Sequence, residues 1–108
     1  MIMKYVEFEW DEDKNLRNIE IHGISFRLAS RVFEDDYRIE REDLSAHNDF
    51  SEDRIQTIGS IGKVIFVVYT ERNNRCRIIS ARKANAKERE LYYGYSDIQT
   101  EGWGRAVN

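Results

Sequence analysis

The sequence predicts an α+β fold: one twisted antiparallel sheet of about four strands, two helices before it and one after. Three observations predict it. A near-continuous apolar run, Val64 to Tyr69, is followed by Asn73-Asn74 and a second β-rich run through Cys76, Ile78 and Ile79, which reads as a β-hairpin with an Asn-containing turn. Start and stop signals bracket two stretches near the beginning, Asp11 with Gly23 and then Ser25. A variant capping box, Asn85 with Glu88 three positions on, opens a last helix.

Val6 to Trp10 alternates and reads as a short strand. Asp11 is then placed as an N-cap, with Glu12 and Asp13 near the positive end of the helix dipole. This helix should run to about His22 and stop at Gly23 in a left-handed turn. Leu16 and Ile19 are expected to face the core, with Lys14, Asn18 and His22 as a polar stripe on another side. Ser25 caps a second helix, Phe26 to about Phe33, with Phe26, Ala29, Val32 and Phe33 inward.

Tyr37 to Glu42 alternates as an edge strand, and 43–53 reads as an exposed acidic loop that includes His47. Arg54 to Ser60 is a strand leading through Gly59–Gly62 into the hairpin. The apolar run does not alternate, so its strand should be central and covered on both faces. The last helix spans about Ala86 to Tyr93, ending at Gly94. Residues 1–94 make one domain; 95–108 lack periodicity and read as a tail, loose or docked on a partner.

Composition narrows the function. The 108 residues suit a single domain, and 41% hydrophobic content supports a small core. The sequence has no apolar run of membrane-spanning length and no leader pattern, so a cytoplasmic protein without a membrane role is expected. Its one cysteine, Cys76, excludes an internal disulfide and sits mid-strand, where it reads as a packed side chain. Two histidines and one cysteine far apart form no metal-site pattern, and no cofactor motif appears. Charge is unevenly spread. Between Glu71 and Glu90 seven basic residues face three acidic ones, a net of +4 in a chain of net −3; residues 34–53 hold nine acids and two arginines. Arginines edging a rigid apolar sheet suit phosphate.

The stretches FEWDEDKNLRNIEIHGISF, RIQTIGS and VVYTERNNRCRIISARKANAKERELY resemble the BrnT family, the toxin half of a type II toxin–antitoxin pair. The resemblance spans roughly residues 8 to 92. It implies a RelE-like fold and an endoribonuclease that cleaves messenger RNA and arrests growth. It also implies a BrnA-like, DNA-binding antitoxin as partner, with operator DNA engaged only through the complex, which represses its own operon.

RNA cleavage without a metal needs a group to take the 2′-hydroxyl proton, cations for the charge developing on the phosphate, and an acid for the leaving 5′-oxygen. His22 is the acid–base candidate, its ordinary pKa being near neutrality; a histidine closing a helix also suits the dipole. Arg82 is the phosphate candidate, ending a strand just before a helix start; a structural ion pair is its other reading. Glu88 could serve as a base or close the capping box. Lys14, Asn18, Arg54, Arg72, Arg77, Arg89 and Tyr92 are candidate RNA contacts. Arg77 and Arg82 have opposite parity in a regular strand and share a face only if a bulge intervenes. Two other readings stay open: a catalytically inactive module that only holds its partner, and RNA binding without cleavage.

Overall fold

The structure, a computed structural model, describes residues 7–43, 53–94 and 101–106. The chain runs β1 (Phe8–Glu9), α1 (Glu12–His22), α2 (Phe26–Ala29), a 3₁₀ turn (Ser30–Glu34), β2 (Ile39–Glu42), β3 (Arg54–Ser60), β4 (Val64–Arg72), β5 (Arg75–Lys83), α3 (Ala86–Gly94) and β6 (Gly104–Arg105). The sheet has six strands in the order β1-β5-β4-β3-β2-β6, not four. β2 to β5 form the expected antiparallel core. The two outermost strands are two residues long: β1 falls within the Val6–Trp10 stretch read as a strand, whereas β6 is too short to leave a periodicity in sequence. β1 lies parallel to β5, and β6 lies antiparallel to β2, so β2 is not the edge.

The hairpin is as the turn chemistry requires. Asn73 and Asn74 both have positive φ, 54° and 64°, the conformation of a type I′ turn, whose twist matches its strands. β4 is buried from Val64 to Thr70. Its side chains divide by parity: Ile65, Val67 and Tyr69 join Ile24, Phe26, Ala29, Val32, Phe33, Cys76, Ile78 and Ala81 on one face. Val64, Phe66 and Val68 join Ile39, Ile58, Ala84 and Trp103 on the other, with Leu91 and Tyr92 of α3 packed against them.

α1 begins and ends where its caps place it. The Asp11 carboxylate accepts from Lys14 N–H, and Gly23 closes the helix at φ 72°. Its buried face is different from the expected one. Leu16 is 57% exposed and Ile19 40%, whereas Asn15 and Asn18 are buried. The reason lies in β5. Past its short pairing with β1, the outer backbone groups of β5 need partners. Asn18 supplies them: its Nδ2 donates to Ala81 O (2.7 Å) and Ile24 O (2.8 Å), and its Oδ1 accepts from Ala81 N–H. Asn15 Oδ1 accepts from Phe26 N–H at 2.8 Å. The helix edges the sheet with amides where apolar packing alone would leave polar backbone unpaired.

The second helix is shorter than expected, tightening after Ala29 into the 3₁₀ turn; Phe26, Ala29, Val32 and Phe33 are all fully buried as read. Asp43 is buried rather than in an exposed loop, and its N–H donates to Arg54 O. Residues 44–52 of that stretch, with His47, lie outside the described residues. Residues 101–106 pack on the sheet: Trp103 is 2% exposed, and β6 pairs with β2. Among the described residues no helix is long and apolar enough to cross a membrane.

Candidate functional site

The site is built by strand register. Arg54, Thr70, Arg77 and Glu9 form one row across β3, β4, β5 and β1. The next row runs Arg41, Gln56, Val68 and Ser80 from β2 to β5. The third runs Ile39, Ile58, Phe66 and Arg82. Residues opposite one another share a face, their Cβ atoms about 5 Å apart. Hence Arg41, Arg54, Arg77 and Arg82 all emerge on the face covered by α3 and Trp103, with Arg72 and Arg75 paired at its hairpin end.

A bulge makes this possible. Val68 faces Ser80 but Tyr69 faces Ile78, which leaves Ile79 as the extra residue. The insertion reverses the parity of β5, so Arg77 and Arg82 share a face despite their odd spacing.

Arg82 is held on three sides. Its Nη1 and Nη2 donate to the two Glu88 oxygens, each at 2.8 Å, and Nη1 also reaches Lys83 O. Its guanidinium lies 4.2 Å over the Phe66 ring. The structural ion-pair reading is therefore realised, yet the guanidinium has five N–H donors, and Nε–H and one Nη2 proton remain for a ligand. The side chain is 36% exposed. Glu88 also completes the capping box: Asn85 N–H donates to its Oε1, and Asn85 Oδ1 accepts from Glu88 N–H, both 2.8 Å. Burial raises the Glu88 carboxyl, but the hydrogen bonds from Arg82 and Asn85 and the charges of Arg82 and Arg41 outweigh it. The result is a carboxyl below its usual range, which stays ionised at neutral pH.

Arg41 is the arginine the sequence reading missed. Its guanidinium stacks 4.5 Å over Trp103, its Nε donates to Gln56 Oε1, and its Nη1 donates to Glu101 O. Its parity with Ile39 in β2 was the available signal, lost because the partner ring lies 62 residues on. Arg77 Nη1 pairs with Glu9 at 2.9 Å, and Arg75 with Glu7 at 2.6 Å. Arg54 Nε is buried and makes no hydrogen bond among the described residues.

The remaining candidates divide. His22 is exposed at the end of α1, without a hydrogen bond or ion pair among the described residues. It follows by one turn Asn18, whose amide is anchored to Ala81, the chain neighbour of Arg82. Asn18 itself has its amide committed to the backbone of Ile24 and Ala81, at the edge of β5. Lys14 is exposed on α1. Arg89 Nη1 donates to Ala84 O. Tyr92 OH donates to Asp35 Oδ2 at 2.6 Å, beside an open cavity of about 390 Å³ also bordered by Arg31 and Ser60. Burial first, then the Asp35 carboxylate, push that hydroxyl well above the ordinary phenol range. Arg72 lies exposed by the hairpin turn. Among the described residues no three His, Cys, Asp or Glu side chains gather as a metal would need.

Three comparisons bear on this arrangement. A family model described as ribonuclease toxin, BrnT, of type II toxin–antitoxin system matches residues 10–88. The crystal structure of the Brucella abortus ribonuclease toxin BrnT superposes with a TM-score of 0.55 at 23% identity. That match covers 73% of this chain and 96% of the Brucella one, and it speaks for the shared fold. No curated protein matches.

Proposed function

Since the chain belongs to the BrnT family of ribonuclease toxins of type II toxin–antitoxin systems, we propose that it cleaves messenger RNA on the guanidinium-bearing sheet face, without a metal, and so inhibits translation. The single observation that carries this reading is the convergence of Arg41, Arg54, Arg77 and Arg82 on one face of a rigid sheet. Fixed guanidiniums stabilise charge that develops on a phosphate and need no reorganisation at the moment of reaction.

In this reading Arg82 carries the phosphate charge with its two remaining donors, and Arg54 and Arg77 guide the flanking backbone. Glu88, ionised and gripped by Arg82, is a weak base and serves to orient the guanidinium. Proton transfer falls to His22 at the adjoining edge. Lys14, Arg72, Arg89 and Tyr92 are rim contacts. We read the fold as RelE-like and the site of action as the cytoplasm. A BrnA-like, DNA-binding antitoxin neutralises the toxin, and the pair represses its operon.

One observation favours a second reading. Carboxylates already occupy several of the guanidiniums: Glu88 on Arg82, Glu9 on Arg77, Glu7 on Arg75. A toxin that had lost its activity and only held its partner could look like this. Purified protein incubated with single-stranded RNA in a chelator separates the two. Cleavage is expected, and Arg82→Ala should lower it by about 10² to 10³-fold with the circular dichroism spectrum retained. Full cleavage by the folded Arg82→Ala protein would remove Arg82 from the site, and intact RNA with the unaltered protein would favour the inactive module.

A further inference from the structure

The chain after α3 returns to the site. Residues 101–106 cross the arginine-bearing face, and their placement is specified at several points. β6 pairs with β2 at Ile39 and Glu40, and Ala106 N–H donates to Arg38 O. Glu101 forms a 2.7 Å ion pair with Lys87 of α3, and its carboxylate lies 3.6 Å from Arg41. Glu101 and Gly102 both take positive φ, 57° and 85°, which turns the chain so that Trp103 points into the sheet.

Trp103 there forms the middle of a stack. Arg41 lies 4.5 Å over its ring, and Phe66 meets it edge-on with centroids 6.5 Å apart. Phe66 in turn carries Arg82 at 4.2 Å. The sequence is cation, aromatic, aromatic, cation, and both cations retain exposure, 30% for Arg41 and 36% for Arg82. Cation–π contacts of this kind strengthen when water is excluded from one side of the ring, and Trp103 at 2% exposure excludes it. Glu88 ties the ends together: it grips Arg82, and the charge of Arg41 is among those acting on its carboxyl. The whole strap lies beyond residue 88, where the family model stops.

We propose that Trp103 is a positioning residue for RNA cleavage: through Phe66 and by direct stacking it sets the spacing of Arg41 and Arg82, and Arg41 is a second phosphate contact. The proposal rests on the ribonuclease reading above. The strap is therefore part of the site and not an appendage to it.

The test uses the purified full chain, a labelled mixed-sequence single-stranded RNA and a chelator, with cleavage and binding measured separately. Trp103→Phe keeps a ring over Phe66 and every charge, but offers Arg41 a smaller platform. It should lower kcat about tenfold, in line with the cost of a sub-ångström misplacement, and leave KM and the salt dependence of RNA binding unchanged. Arg41→Gln removes a cation and should instead raise KM and flatten the slope of log K against log salt by about 0.7, one phosphate contact on a single strand. Glu101→Gln loosens the strap from the surface, without touching the core, and should reduce kcat in the same sense as Trp103→Phe. It decides the matter if Trp103→Phe does not fold. Unchanged kcat in a folded Trp103→Phe or, failing that, in Glu101→Gln would overturn the positioning role and leave the ribonuclease reading intact. An unaltered slope in Arg41→Gln would overturn Arg41 as a phosphate contact. Absence of both RNA binding and cleavage in the unaltered chain would overturn this inference together with the reading beneath it.

Discussion

Asn18 shows how much one amide can be asked to do. Its three hydrogen bonds join α1, the turn after it and the outer side of β5. Asn18→Ala leaves buried backbone donors and acceptors without partners, at a cost of about 2 to 3 kcal/mol. A melting temperature roughly 10 to 20 °C lower is expected, and a change of a degree or two would mean that water replaces the amide. Tyr92 contributes differently. Its hydroxyl is held protonated by burial and by Asp35. A group whose folded pKa is raised contributes fully below the unfolded value, about 10 for tyrosine, and that contribution is lost as pH climbs past it. Stability should therefore fall steeply above about pH 10, and Tyr92→Phe should flatten that fall while costing about 1 to 2 kcal/mol at neutral pH from the lost hydrogen bond. Denaturant titrations at a series of pH values read both effects, and a profile indifferent to the substitution would contradict the assignment.

At the scale of elements, close approach decides the packing of β3. Gly59 lies where a Cβ would meet Val32 Cγ2 at 2.6 Å and Arg38 Cβ at 3.0 Å. Val32 belongs to the 3₁₀ turn and Arg38 precedes β2, both fully or almost fully buried. Neither can retreat, so Gly59→Ala should destabilise by about 1 to 3 kcal/mol through overpacking; equal stability in urea titration would show the turn to be yielding. The hairpin, the caps of α1 and the capping box of α3 were legible in sequence because each is a local bargain between residues within a few positions. β3 was legible to the residue for the same reason. The buried face of α1 was not, because its partner, the free side of β5, is more than 60 residues away, and periodicity weighs apolar residues rather than amides.

For the whole molecule, charge is the deciding quantity. A chain of net −3 presents several guanidiniums on one sheet face, so its affinity for RNA should depend on salt despite the overall sign. With three to four phosphates contacted, log K should fall against log salt with a slope of about −2 to −3, measured by fluorescence anisotropy. A slope near zero would mean that the paired carboxylates leave no charge to spend on RNA.

By itself the sequence determined the fold class, the central strand buried on both faces, the family and the arginine content of the late hairpin, because turn residues, caps and apolar runs act over short range. Tertiary structure alone decided which arginines meet. The bulge at Ile79 put Arg77 with Arg82, strand pairing brought Arg41 beside them, and the return of Trp103 completed the face. These depend on register between strands distant in the chain, and register is settled by packing and by where the last backbone donors find acceptors.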